Sequence, residues 1–135
     1  MIAYLTTDEV NEYLALQMAE ENGETLCPLS PCDAPPDEDF DAAIYDWDYL
    51  SVQHRQAILA EHLAGHAPWP AAVHGYNLDD DCVKALRKQN VAVYRTLQPE
   101  LFRRLAREGR RARAAHAAGS RVEEVSTALS ACFVS

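Results

Sequence analysis

Five short apolar segments divide this chain, at residues 2–6, 24–29, 41–46, 71–74 and 91–95. Each is bounded by polar residues, which is the pattern of a buried strand. Most are separated by stretches of helical period. Strands that alternate with helices require a mostly parallel sheet covered on both faces. A chain of 135 residues, 48% hydrophobic and 24% charged, is one domain by length and long enough to bury a core.

The helical stretches carry their own start and stop signals. Thr7 or Asp8 caps a helix running from Asp8 to Asn22, and Gly23 ends it. Val10, Tyr13, Leu14, Leu16 and Met18 are expected to supply its apolar stripe. A second helix covers 51–64, with Val52, Ile58, Leu59 and Leu63 inward, and the Pro68-Trp69-Pro70 turn follows. A third runs from Asn77 to Gln89, acidic at its start and basic at its end, as the helix dipole favours. A long basic helix runs from Gln98 to about Ala118, with Pro99 in its first turn. Gly119 breaks it, and Val122, Val125, Leu129 and Phe133 predict one more amphipathic helix. Residues 30–40 hold three prolines and four acids, so an extended connection is expected there instead of a helix.

Pro28 fixes one more constraint. It cannot donate to a sheet ladder, so the second strand belongs at an edge. Right-handed crossovers give a doubly wound five-stranded sheet, and the order 2-1-3-4-5 puts the second strand at that edge. Residues 1–118 are then one domain. Residues 119–135 are a C-terminal helical extension that packs on the domain or on a partner.

The net charge of −9 is unevenly spread. Residues 1–83 hold one basic residue, Arg55, against 17 acidic ones, whereas residues 84–135 hold 11 basic against 4 acidic. The acidic part argues against wrapping nucleic acid over the whole surface. The basic part can attract the acidic part within one domain, or an acidic partner. No apolar run is long enough for a membrane helix, and the N-terminal residues do not read as a secretory signal. A cytoplasmic setting is expected. Cys27, Cys32, Cys82 and Cys132 are then free structural thiols, because C-x4-C is not a common zinc spacing.

In doubly wound sheets, chemistry collects beyond the carboxyl ends of the strands. Thr6, Thr7 and Asp8 reach that edge, as do Asp46, Trp47, Asp48, His74, Gly75, Tyr76, Arg95, Thr96 and Gln98. Asp8 and Asp46 end neighbouring strands, and paired carboxylates are weak candidates for Mg²⁺. Otherwise Asp8 and Asp48 simply cap helices.

These residues carry a family resemblance over about 1–116. The chain resembles the receiver domain of two-component response regulators, a flavodoxin-like α/β fold of the same strand order. The stretch Phe40-Asp41-Ala42-Ala43-Ile44-Tyr45-Asp46 is similar to the family's third strand, which places Asp46 at the phosphoacceptor position. The family's acidic, Mg²⁺-binding pair is replaced by Thr6 and Thr7, with only Asp8 beside them. His74 stands where the family has Ser or Thr, and Gln98-Pro99 where it has Lys-Pro. Its second helix is replaced by the proline-rich stretch. Phosphoryl transfer to a carboxylate needs a metal and a cation to offset charge. The resemblance therefore implies a pseudo-receiver, a non-catalytic regulatory module without a cofactor that acts through protein contact.

Two rival functions follow from the same residues. One is a working phospho-switch at Asp46 with Asp8 and Asp48 on the metal. The other is a small-ligand sensor or enzyme using Asp8, Asp46 and His74. There is no Gly-x-Ser-x-Gly elbow, phosphate loop or dinucleotide fingerprint. His62 and His66 have a metal-compatible spacing, but His54 is a poor third ligand. Arg103, Arg104, Arg107, Arg110, Arg111 and Arg113 make the last basic helix the expected partner face. The resemblance implies a protein partner there, including a homodimer through the last helices and fifth strand. Nucleic-acid binding is disfavoured because no recognition helix accompanies the arginines.

The apolar residues of 120–135 need burial. Deleting that segment is expected to lower the melting temperature or to halve the solution mass by light scattering; unchanged values would refute it.

Overall fold

A computed structural model describes residues 1–30, 40–65 and 69–115. Five strands, β1 (Ile2–Leu5), β2 (Leu26–Leu29), β3 (Ala42–Asp46), β4 (Ala71–His74) and β5 (Ala92–Tyr94), form one sheet. All pairings are parallel and the order is β2-β1-β3-β4-β5. The fold is thus the flavodoxin-like α/β arrangement expected. Pro28 sits in edge strand β2 opposite Tyr4, where a missing N–H is tolerated.

Among the described residues, four helices cover the sheet: α1 (Glu9–Glu21), α2 (Val52–Leu63), α3 (Asp80–Lys88) and α4, helical over 99–115. A 3-10 turn, Trp47–Tyr49, follows β3 directly. Residues 31–39 of the proline-rich stretch, where no helix is expected, fall outside the described residues, as do His66, Cys32, Cys132 and the C-terminal extension.

Strand alternation sorts the core into two layers. Ile2, Tyr4, Ala42, Ile44, Ala72 and Ala92 meet α1 and α4 through Ala15, Ala19, Leu101, Phe102 and Leu105. Ala3, Leu5, Ala43, Tyr45 and Val73 face α2 and α3, with Ile58 and Leu86 buried against them. Leu101, Phe102 and Leu105 face the sheet as their spacing predicts.

The inner face of α1 departs from expectation. Its buried residues are Ala15 and Ala19, while Val10, Tyr13, Leu14 and Leu16 are exposed. The large side chains of that layer come from Tyr4, Ile44 and Phe102, so α1 seats through small residues. In α2, Val52 and Leu63 are likewise exposed, and His62 takes the inward position. The caps are as read at Asp8, which accepts from the Asn11 N–H, and Gly23 turns with φ 71°. Helix α3 starts later than expected, because Asp79 rather than Asn77 caps it.

The acidic and basic parts do meet. Arg113 pairs with Asp41, and Arg110 reaches Glu24 at 3.9 Å. Such exposed pairs contribute little energy; the apolar layer dominates. Leu105→Ala is expected to cost about 2–5 kcal/mol. Urea denaturation would show it as a lower midpoint with an unchanged slope.

Candidate functional site

Strand register assembles the site. Leu5 pairs with Tyr45, and Asp46 pairs with His74. Thr6, Asp46 and His74 therefore stand in one row across the ends of β1, β3 and β4. Asp46 and His74 share the strand face of Ile44 and Ala72, which is the face beneath α1.

Asp46 is 1% exposed. One of its oxygens, Oδ2, accepts hydrogen bonds from the Thr6 hydroxyl and the Asn11 side-chain amide, both at 2.8 Å. The Asp8 N–H in turn donates to Thr6 Oγ1 at 3.0 Å. The other oxygen, Oδ1, lies 3.8 Å from His74 Nδ1, too far for a hydrogen bond. On the far side of the ring, His74 Nε2 is 2.9 Å from the Tyr4 hydroxyl, and the two rings stack at 5.8 Å.

Burial pushes the His74 pKa down, although Asp46 and Asp48 pull the other way. Burial also pushes the Tyr4 phenol up, helped by Asp46, Asp8 and Glu12. Tyr4 thus keeps its proton and donates to a neutral imidazole at Nε2. The ring proton is assigned to Nδ1, facing Asp46.

Asp48 plays a different part. Its oxygens accept from the Tyr76 N–H at 2.9 and 3.1 Å and from the Asn77 N–H at 2.8 Å. It pins the loop after β4 instead of capping a helix. A Cβ at Gly75 would come within 2.9 Å of Asp48 Oδ1, so glycine permits this close approach.

An open cleft of about 490 Å³ lies over Asp46 and His74. Leu14 and Met18 of α1 form one wall, and Tyr49, Tyr76 and Arg95 stand among the residues around it. The predicted residues divide. Asp46, Asp48 and His74 line the cleft. Thr6, Thr7 and Asp8 open instead onto a separate recess of about 270 Å³ beside Leu29 and Ser30. Thr7 donates to the Tyr49 carbonyl at 2.6 Å. Asp8 spends a carboxylate oxygen on the α1 cap, and Asn11 rather than Asp8 contacts Asp46. Gln98 is exposed and does not line the cleft; Arg95, Thr96 and Leu97 do.

Tyr4, Asn11 and Tyr49 escaped the sequence reading. The available signal for Asn11 was its place in the first turn of a helix that begins directly beyond β1.

Among the described residues, no group of three His, Cys, Asp or Glu side chains is placed to hold a metal. His62 is a core residue, 3.4 Å from the Tyr45 hydroxyl, which also accepts from Trp69 Nε1. His54 is taken up with Ser51 at the start of α2. Cys27 and Cys82 are free and partly buried.

The arginines of α4 also divide. Arg104 is half-buried and bonds Glu108 at 3.1 Å. Arg103, Arg107 and Arg111 are exposed at a spacing of four, a solvent-facing ridge without carboxylate partners among the described residues. No helix among those residues is long and apolar enough to cross a membrane. No protein-family model and no curated protein matches this chain.

The buried histidines set a pH dependence. Their folded pKa values lie below the ordinary 6.5, so the unfolded chain binds more protons. The stability of this neutral pair is present above about 6.5 and is lost as pH falls below it. Urea midpoints should drop between about pH 7 and pH 5, and His74→Gln should flatten part of that slope.

Proposed function

We propose that this chain is a non-catalytic regulatory module on a receiver-like frame, acting through protein contact. The observation that carries the reading is the wiring of Asp46. The residue at the phosphoacceptor position is buried, and Thr6 and Asn11 occupy one oxygen with neutral donors. Asp8, the remaining acid beside β1, is committed to the α1 cap. Phosphoryl transfer needs positive charge close to the phosphoryl oxygens. The donors around Asp46 are a hydroxyl, an amide and an imidazole kept neutral by burial.

The output surface in this reading is α4 together with β5. The ridge of Arg103, Arg107 and Arg111 suits an acidic protein surface, including the acidic part of a second copy. The setting is intracellular signalling, with no cofactor required for output.

Magnesium with beryllofluoride tests the reading. Backbone amide signals of Thr6, Asp46, Asp48 and His74 are expected to stay in place, and the solution mass is expected to stay constant. A shift at those amides, or a mass change only with beryllofluoride, would establish the rival phospho-switch.

A further inference from the structure

The cleft over Asp46 offers more than a protein-contact module needs. Its volume, about 490 Å³, falls within the roughly 300–1,000 Å³ range of small-molecule sites. It also lies beyond the carboxyl ends of the strands, where such sheets bind ligands.

The floor has a defined polarity. Oδ2 of Asp46 already receives two hydrogen bonds. Oδ1 receives none from the described residues. It stands 3.8 Å from His74 Nδ1, to which the ring proton is assigned because Nδ1 faces the carboxylate and the Tyr4 hydroxyl can donate to Nε2. The floor therefore presents an acceptor and a donor side by side. A simple cation suits the acceptor and not the donor; an anionic group is repelled by the carboxylate. An amino group beside a ring nitrogen matches both, which is the edge that paired side-chain acceptors and donors read on adenine.

The walls agree with a flat ring. Leu14, Met18 and Leu97 supply apolar contact. Tyr49 is 45% exposed and Tyr76 62% exposed at the same cleft, so two aromatic faces stay in water where a ring could stack. Arg95 lines the cleft, is exposed, and has no carboxylate partner among the described residues.

We propose that this cleft binds a small adenine-type nucleotide. The amino group donates to Asp46 Oδ1, and the neighbouring ring nitrogen accepts from His74 Nδ1. The ring stacks on Tyr76, and the phosphate lies toward Arg95. The proposal builds on the pseudo-receiver reading, in which the ligand supplies the input that phosphorylation would supply elsewhere; the binding itself needs only that Asp46 Oδ1 accepts a hydrogen bond from the ligand.

NMR titration of the full chain tests this, with adenosine 5′-monophosphate, purine riboside 5′-monophosphate and ribose 5-phosphate as probes. Adenosine monophosphate should shift signals of Leu14, Tyr49, Tyr76 and Leu97 with sub-millimolar affinity. Purine riboside monophosphate lacks the amino donor and should bind about tenfold more weakly, the scale of one hydrogen bond to a charged group. Tyr76→Ala removes an exposed side chain and should weaken binding about tenfold. Asp46→Asn should abolish binding; the Tyr76 variant keeps the test valid if that protein does not fold. No shift with adenosine monophosphate at several millimolar would overturn the proposal. So would equal binding of ribose 5-phosphate, or undiminished binding by Tyr76→Ala. A beryllofluoride response alongside nucleotide binding would overturn only the pseudo-receiver reading. No response to either probe would overturn only the nucleotide site.

Discussion

A single buried carboxylate organises the carboxyl edge of this sheet. Asp46 lies at the end of the central strand, and burying an unpaired charge there would cost several kcal/mol. The chain stabilises it with neutral donors from two directions. Thr6 comes from the adjacent strand end, and Asn11 comes from the first turn of α1. Each hydrogen bond to a charged acceptor contributes about 1.5–3 kcal/mol. The same bonds fix the relation of β1, β3 and α1. The Asp8 cap and the Asp8–Thr6 bond tie the helix start into that network. His74 completes the row, held in orientation by Tyr4 beneath it.

The packing of the helices explains why this end is open. Helix α1 seats on the sheet through Ala15 and Ala19. Small residues allow close approach at the centre of the helix. Its larger apolar side chains, Leu14 among them, then fall on the outer and upper faces. Leu14 becomes a wall of the cleft instead of part of the core, beside Met18, which packs partly against the core. On the opposite side, Asp48 draws the loop after β4 down by two backbone N–H groups, and Gly75 permits the contact. The cleft is the space between a helix held by alanines and a loop held by a carboxylate.

Much of this fold was legible in the sequence because its signals are local and agree. Pro28 demanded an edge strand, and the strand–helix alternation demanded a parallel sheet; one topology satisfies both. Asp46, Asp48 and His74 were legible as strand-end residues. The inward face of α1 was not, because periodicity marks apolar stripes and does not say whether alanines or leucines will seat the helix. The cap at Asp79 was displaced from Asn77 for a similar reason, since three acids in a row offer several starts. Asn11 and Tyr4 were illegible because their roles come from register between distant strands. The role of Asp48 was also non-local, as its partners lie 28 and 29 residues away.

The neutral character of the groups around Asp46 has one electrostatic consequence. Adding a phosphoryl group would bring further negative charge into a buried site whose nearest donors are a hydroxyl, an amide and a neutral imidazole. In a low-dielectric setting, such charge is costly unless a cation enters with it. A neutral group that donates one hydrogen bond and accepts another adds no charge, and it uses the free oxygen of Asp46 together with the His74 proton. The electrostatics of the row thus favour a neutral hydrogen-bonding group over added negative charge. Arg103, Arg107 and Arg111 of α4 lie on a separate helix and do not line the cleft.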